Sequence, residues 1–226
     1  GAHHADWCFL VARTDPDAPK HRGISFLLVD MKTPGITVQP LVNMADFHEF
    51  NQVFFEDVRV PVANRVGEEN NGWYVAMTLL DFERSSVASI ASNQRVIEDI
   101  ASRLRDDPQR PYRDVHRHQV ADLWVANETG RMLAYRVAWL QEAGTVPNYE
   151  ASVIKVFATE LAQKVTNFGV NALGPAGALS RGSPHVLFEG QMASEHLSNV
   201  SPTIYSGSNE IQRNIIATRG LGLPRD

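Results

Sequence analysis

From Trp73 to about Leu104 neither glycine nor proline interrupts the chain. Relative to alanine these two residues cost about 1 and about 3 kcal/mol inside a helix. Their absence over so long a run predicts a helix of many turns. What precedes it has a different period. Trp7 to Arg13, Ile24 to Val29, Ile36 to Leu41 and Gln52 to Val60 are short apolar or alternating runs, rich in β-branched and aromatic residues. Segments such as Asp15-Pro16-Asp17-Ala18-Pro19 separate them, which predicts strands of an antiparallel sheet or part of a barrel. Pro61 and then Gly67-Glu68-Glu69-Asn70-Asn71-Gly72 mark a boundary.

Beyond that boundary the apolar residues step by three and four. Leu123, Ala126, Gly130, Leu133, Val137 and Leu140 form one seam; Ile154, Phe157, Leu161, Val165, Phe168 and Ala172 form a second. Asn209 to Arg219 closes the chain with a helix carrying Ile211 and Ile215 on one face. Three long helices and a shorter one predict a bundle. The expected fold is α+β: a partial antiparallel β-sheet or barrel domain over residues 1–67, then an all-α four-helix bundle over residues 68–226.

Composition narrows the function classes. A hydrophobic fraction of 43%, a charged fraction of 21% and a formal net charge of -5 describe an ordinary globular chain. They supply no basic field for nucleic acid and no polybasic membrane patch. No apolar run approaches the ~18 residues of a membrane span. One cysteine, Cys8, excludes an intrachain disulfide and fits a reducing compartment, so the expected location is cytoplasmic; its apolar strand predicts a core position. The start, Gly1 to Trp7, does not read as a signal or transit peptide. Metal chemistry finds no purchase either, because the eight histidines include no His-Glu-x-x-His pattern and a lone cysteine cannot build a thiolate zinc site. Glycine-rich dinucleotide, Walker and nucleophile-elbow motifs are absent.

Two places can carry chemistry. Between Trp73 and Arg95 the charged residues are Asp81, Glu83 and Arg84, clustered in mid-run. Helical geometry puts Glu83 on the face of Leu79, Leu80, Val87 and Ile90. A carboxylate on an apolar stripe is poorly solvated, which raises its pKa and makes it a better general base near neutral pH. The same spacing also serves a structural Asp81–Arg84 pair with Glu83 at a wet bundle edge, and spacing alone leans that way. The second place is Tyr205-Ser206-Gly207-Ser208-Asn209-Glu210. Gly207 permits a backbone conformation closed to other residues, Ser208 is a good N-cap, and a helix start favours a polarised oxygen. The residues alone read more simply as an ordinary helix entry. Leu173-Gly174-Pro175-Ala176-Gly177 is either a helix C-cap, the simpler reading, or a close backbone approach to a cofactor.

Taken in order, these segments resemble the acyl-CoA dehydrogenases over essentially the whole chain. Gly1 to Trp7 is similar to the strand entry after the family's Trp-Ile-Thr segment. Phe54-Phe55-Glu56-Asp57-Val58-Arg59-Val60-Pro61 resembles its Phe-x-x-Val-x-Val-Pro signature. Gly72-Trp73 and Leu80-Asp81-Phe82-Glu83-Arg84 resemble the start and middle of the helix lining the acyl pocket. Ile211-Gln212-Arg213-Asn214-Ile215-Ile216 and Leu221-Gly222-Leu223-Pro224-Arg225 resemble the carboxyl-terminal end of many bacterial members.

The resemblance implies FAD-dependent α,β-dehydrogenation of an acyl-CoA thioester, with electron-transfer flavoprotein as acceptor. Most members draw the base from the carboxyl-terminal turn, where this chain has Ser206; a subset draws it from the long helix just before an arginine, where this chain has Glu83. The implied base is therefore Glu83. Asp81, Phe82, Arg84, Tyr205, Ser206 and Gly207 are the implied acyl-CoA contacts, with the Ser206 amide donating to the thioester carbonyl. Ser208, Asn209 and Glu210 are implied to approach the flavin, and Asn171, Gly174 and Pro175 the adenine end of a neighbouring subunit's flavin. The family's Arg-x-x-Phe-Gly segment is absent, leaving Arg103 or Arg113 to replace its arginine. The family's amino-terminal helical domain is absent too, so the sequence is expected to be part of a longer enzyme. That enzyme is expected to be a homo- or hetero-tetramer assembled through the bundle. A non-catalytic scaffold subunit of a heteromeric enzyme and an acyl-CoA oxidase are the rival readings. Ser85, Ser86, Ala88 and Ser89 leave space for a bulky acyl group.

Overall fold

Strands β1 (Trp7–Arg13) and β2 (Ile24–Asp30) pair antiparallel from Trp7↔Asp30 to Arg13↔Ile24 in the computed structural model, which describes residues 1–82, 86–106 and 113–224. A hairpin of β3 (Ile36–Leu41) and β4 (Phe50–Phe55) forms a separate two-stranded sheet. The short β5 (Arg65–Val66) joins the free edge of β2. Being central, β2 is the best buried of the five, with Ser25, Phe26 and Val29 all 5% exposed or less. Cys8 is half-buried on β1 rather than in a core, and that partial burial pushes its thiol pKa up.

The fourth apolar run is shorter than the expected Gln52 to Val60, because the strand ends at Phe55. Asp57 has φ 52, a left-handed conformation that no ladder continues through.

Ser25 is the knot of this unit. Its Oγ lies 2.8 Å from the Thr14 hydroxyl and accepts from the Asn70 amide at 2.9 Å. The next turn begins helix α1 (Gly72–Phe82), and only glycine fits there: a Cβ on Gly72 would lie 2.2 Å from the Phe26 nitrogen. Trp73 stacks on His21, with ring centroids 4.3 Å apart.

The run from Trp73 to Leu104 is not one uninterrupted helix. It contains α1 and α2 (Val87–Asp106), and Ser86 between them has φ 55. Serine competes for backbone hydrogen bonds within a helix and serves better at its start; the Ser86 carbonyl accepts from the Ile90 amide at 3.2 Å.

The chain divides into two compact units, Gly1–Leu80 and Asp81–Asp226. In the second, α3 (Arg113–Glu142) and α4 (Tyr149–Leu173) follow α2, then α5 (Gln191–Ser198), which sequence patterning does not announce, and α6 (Asn209–Ile215). A π-helical turn, Ile216–Gly220, ends the last helix. Helix α4 is the hub, packing on α2, α3, α5 and α6. Ile97, Ile100, Val137, Ile154 and Val165 are all 1% exposed or less, each burial being worth about 1.5–3 kcal/mol. Both predicted seams lie on the inner faces, as the steps of three and four require.

At Gly130 helix α3 lies tight against its neighbours: a Cβ there would meet Ile90 Cδ1 at 2.5 Å and Phe157 Cε1 at 3.1 Å. A Gly130→Val substitution gains a few tenths of a kcal/mol of helix propensity but overpacks the core at a cost of about 1–3 kcal/mol. Overpacking wins, so the urea unfolding midpoint should fall; an unchanged or higher midpoint would show that this crossing has slack.

Candidate functional site

The loop between α5 and α6 enters a double left-handed turn. Ser206 has φ 54 and Gly207 has φ 80. For serine that conformation costs about 1–2 kcal/mol, and it persists where its surroundings over-determine it. Here they do. The Gly207 carbonyl accepts from Lys155 Nζ of α4 at 2.8 Å and from Gln212 Nε2 of α6 at 3.3 Å. A Cβ on Gly207 would sit 2.4 Å from that Gln212 nitrogen. Ser208 caps α6, its Oγ accepting from the Ile211 amide at 3.5 Å.

Asn209 turns inward, 3% exposed. Its Oδ1 accepts from Lys155 Nζ at 2.8 Å, and its Nδ2 donates to Thr159 Oγ1 at 3.2 Å and Glu160 Oε1 at 3.3 Å. Glu160 also pairs with Arg213. The turn is thus bolted to α4 through polar groups, while Tyr205, Ser206, Gly207 and Glu210 face solvent. Among the described residues nothing accepts a hydrogen bond from the Ser206 or Gly207 amide. The arrangement offers backbone donors on a rigid mount, which suits a polarised carbonyl oxygen.

Glu210 is held below the usual carboxylate range by its own backbone N–H, then by the Ser208 hydroxyl and by the charges of Arg213 and Lys155, against some desolvation.

The second candidate cluster sits at the other end of α4. Gly174 has φ 62 and caps that helix, its N–H donating to the Asn171 carbonyl, so Leu173–Gly177 is a C-cap. Pro175 stands exposed in the following 3-10 turn, Gly174–Ala178. Asn171 is exposed, its Nδ2 donating to the Asn167 carbonyl at 2.7 Å. Asn171 and Ala172 line a cavity of about 580 Å³ with His116, Gln119, Lys164 and Phe168. Amides, a cation and an aromatic ring suit the polar and planar parts of a nucleotide. Arg103, in the last turn of α2, keeps a buried Nε with no partner among the described residues. A larger cavity of about 720 Å³, lined by Leu104, Arg105, Val120 and Trp124, contains none of the sequence candidates.

At 1.5 Å per residue, Asn171 lies about 24 Å along α4 from Lys155. The candidates therefore form two groups, Tyr205 to Glu210 and Asn171 to Pro175. Asp81 and Phe82 end α1, with side chains outside the description, while Glu83, Arg84 and Ser85 lie outside the described residues. Arg113 begins α3. Among the described residues no group of three or more His, Cys, Asp or Glu is placed to hold a metal ion, and no helix is long and apolar enough to cross a membrane.

Sequence reading missed Lys155, Thr159 and Gln212. A signal for Lys155 exists: Ala151, Ser152, Ala158 and Ala162 surround it at helical spacing, a strip of small residues along which a lysine stem can lie buried.

Two stability outcomes follow from this geometry. Gly207→Ala should lower the thermal midpoint, by collision with Gln212 and by strain at φ 80, whereas Ser206→Gly should hold or raise it; the reverse order would mean the turn is not left-handed in solution. A carboxylate with a depressed folded-state pKa stabilises above the ordinary glutamate value of about 4.3 and loses that contribution as pH falls through the lowered value. Glu210→Gln should therefore flatten the acid limb of the stability curve below pH of about 5; an acid limb identical to that of the parent protein would remove Glu210 from the network.

Residues 70–221 match the family described as acyl-CoA dehydrogenase, C-terminal domain. The chain is 34% identical to acyl-CoA dehydrogenase IpdE1 of Mycolicibacterium smegmatis, over 100% of this chain and 55% of that protein. Among solved structures it is similar to the Tcur3481-Tcur3483 steroid ACAD, with a TM-score of 0.92 and 31% identity, over 100% of this chain and 59% of that one. It is similar also to a chain of the ChsE4-ChsE5 complex from Mycobacterium tuberculosis, with a TM-score of 0.87 and 33% identity, over 99% of this chain and 59% of that one. The chain thus spans between 55% and 59% of the length of these relatives.

Proposed function

The chain belongs to the acyl-CoA dehydrogenase family, and on that premise we propose that it forms the carboxyl-terminal part of an FAD-dependent enzyme that desaturates an acyl-CoA thioester between its α and β carbons. The observation that carries this reading is the Ser206–Gly207 turn, with amides that have no acceptor among the described residues and a backbone held in place from two helices. A thioester oxygen accepting from the Ser206 amide draws electron density from the α-carbon and acidifies its proton.

The base must come from elsewhere. Ser206 is a neutral hydroxyl near pH 7. Glu210, with its pKa depressed, is a weaker proton acceptor than an ordinary glutamate. Glu83 takes the α-proton in this proposal, supported by its place in Leu80-Asp81-Phe82-Glu83-Arg84. Asp81, Phe82, Arg84, Tyr205 and Gly207 border the acyl-CoA. Bound FAD supplies the acceptor for the β-hydride. Ser208 and Glu210 are suited to its reactive end. Asn209 holds them from the buried side through Lys155 and Thr159 rather than meeting the flavin itself. The cavity at Asn171, with Gly174, Pro175 and Arg103, suits a nucleotide end. The separation of about 24 Å along α4 supports assigning the two groups to different flavins, one of them a neighbouring subunit's.

Assembly is proposed through the bundle. Val125, Met132, Tyr135 and Trp139 on α3 are all more than half exposed and share one face, a patch that monomers rarely leave bare. The ChsE4-ChsE5 complex supports a heteromeric pairing, and the steroid ACAD supports a bulky acyl group of steroid side-chain type, in keeping with the small Ser86, Ala88 and Ser89. Electron-transfer flavoprotein is the proposed acceptor; peroxide released on turnover would place the enzyme among the oxidases instead.

Glu83→Gln in the complete enzyme should reduce turnover by at least about three orders of magnitude, with fold and flavin content unchanged. Retained turnover would sink Glu83 as the base. Turnover that depends on a co-purifying related chain, but not on Glu83, would make this chain the scaffold subunit.

A further inference from the structure

Lys155 is a cation on a helix, α4, that otherwise buries apolar and small side chains. It lies in the second turn of α4, 5% exposed, between Ala151, Ser152, Ala158 and Ala162. Desolvating an ammonium is costly, and methionine would fill the same channel without that cost. What methionine cannot do is donate. The Lys155 ammonium donates to the Gly207 carbonyl and to Asn209 Oδ1, each at 2.8 Å. These acceptors flank Ser208, the residue at which the left-handed turn becomes helix.

The Gly207 carbonyl matters because of what it shares a plane with. In a trans peptide the C=O and the following N–H point in opposite directions. A Gly207 carbonyl drawn toward a buried lysine therefore sends the Ser208 amide away from α4. The same restraint fixes the ψ of Gly207 and, through it, the peptide between Ser206 and Gly207. Gln212 Nε2 reinforces the hold at 3.3 Å, but a charge-assisted bond is roughly twice as strong as a neutral one.

We propose that Lys155 is a positioning residue for the site: from within the bundle it sets the direction of the Gly207 and Ser208 amides and so pre-organises them as donors to an anionic or polarised oxygen. Lys155 does not touch that oxygen; it acts through the Gly207 carbonyl. The purpose assigned to the amides rests on the reading of this turn as the thioester site, but the restraint does not, so the two can fail separately.

Backbone 15N relaxation on the complete enzyme as purified, with no substrate added, tests the restraint. In the parent protein the Gly207 and Ser208 amides should be as rigid as the helices, with order parameters near about 0.85. Lys155→Met should drop the Gly207 and Ser208 values to below about 0.6, with the α4 amides and thermal midpoint little changed, and Lys155→Arg should restore much of the order. Order parameters at the turn that are unmoved by Lys155→Met would overturn the proposal. So would loosening spread evenly over α4 and the turn in both variants, which is the signature of a packing residue. Should Lys155→Met not fold, Lys155→Gln, a neutral donor of shorter reach, carries the same expectation and the same overturning outcomes.

Discussion

A single backbone oxygen, the Gly207 carbonyl, ties together the parts of this structure that matter for chemistry. Helix α4 grips it through Lys155 and helix α6 through Gln212. Ser206 and Gly207 occupy left-handed conformations on either side of the peptide leading to it. Serine at φ 54 is strained by about 1–2 kcal/mol, and two hydrogen bonds to one oxygen, one of them charge-assisted, offset that strain. The strained turn and the buried cation account for each other. Neither would be expected alone in a bundle held by packing.

The bundle supplies the rigidity this arrangement needs. Lys155 can hold a loop only if α4 itself does not move, and α4 is buried along its length, from Ala151 and Ile154 at one end to Ala172 and Leu173 at the other. Donors mounted on a fixed scaffold incur no reorganisation cost when charge develops. The outer face of α3 shows the opposite character, with Tyr135 and Trp139 left exposed. One helix thus carries an apolar stripe on its inner face and exposed aromatic residues on its outer face.

Much of this was legible in the sequence, for reasons that differ by element. The seams of α3 and α4 announce themselves because steps of three and four are forced on any helix with one buried face. Strands β1 and β3 match their apolar runs to the residue. The places where reading failed are backbone events without a strong side-chain signature. Ser86 and Asp57 adopt positive φ, and neither is the glycine that would have advertised it. The turn at Tyr205 to Glu210 is legible as a helix entry through Gly207 and the Ser208 cap, and as a site only through the family resemblance. Its anchor is not legible, because Lys155 lies about fifty residues away in sequence and a lone lysine on a helix normally reads as solvated surface.

The central claim is that this chain carries the substrate turn of a flavin-dependent acyl-CoA dehydrogenase. Its most direct test is the visible absorption spectrum of the complete enzyme, recorded anaerobically before and after adding a bulky acyl-CoA. Flavin bands that bleach on addition, with recovery of the α,β-unsaturated thioester, are the predicted result. Flavin bands that stay unbleached with every acyl-CoA offered, or a purified complete protein with no flavin absorption, would contradict it.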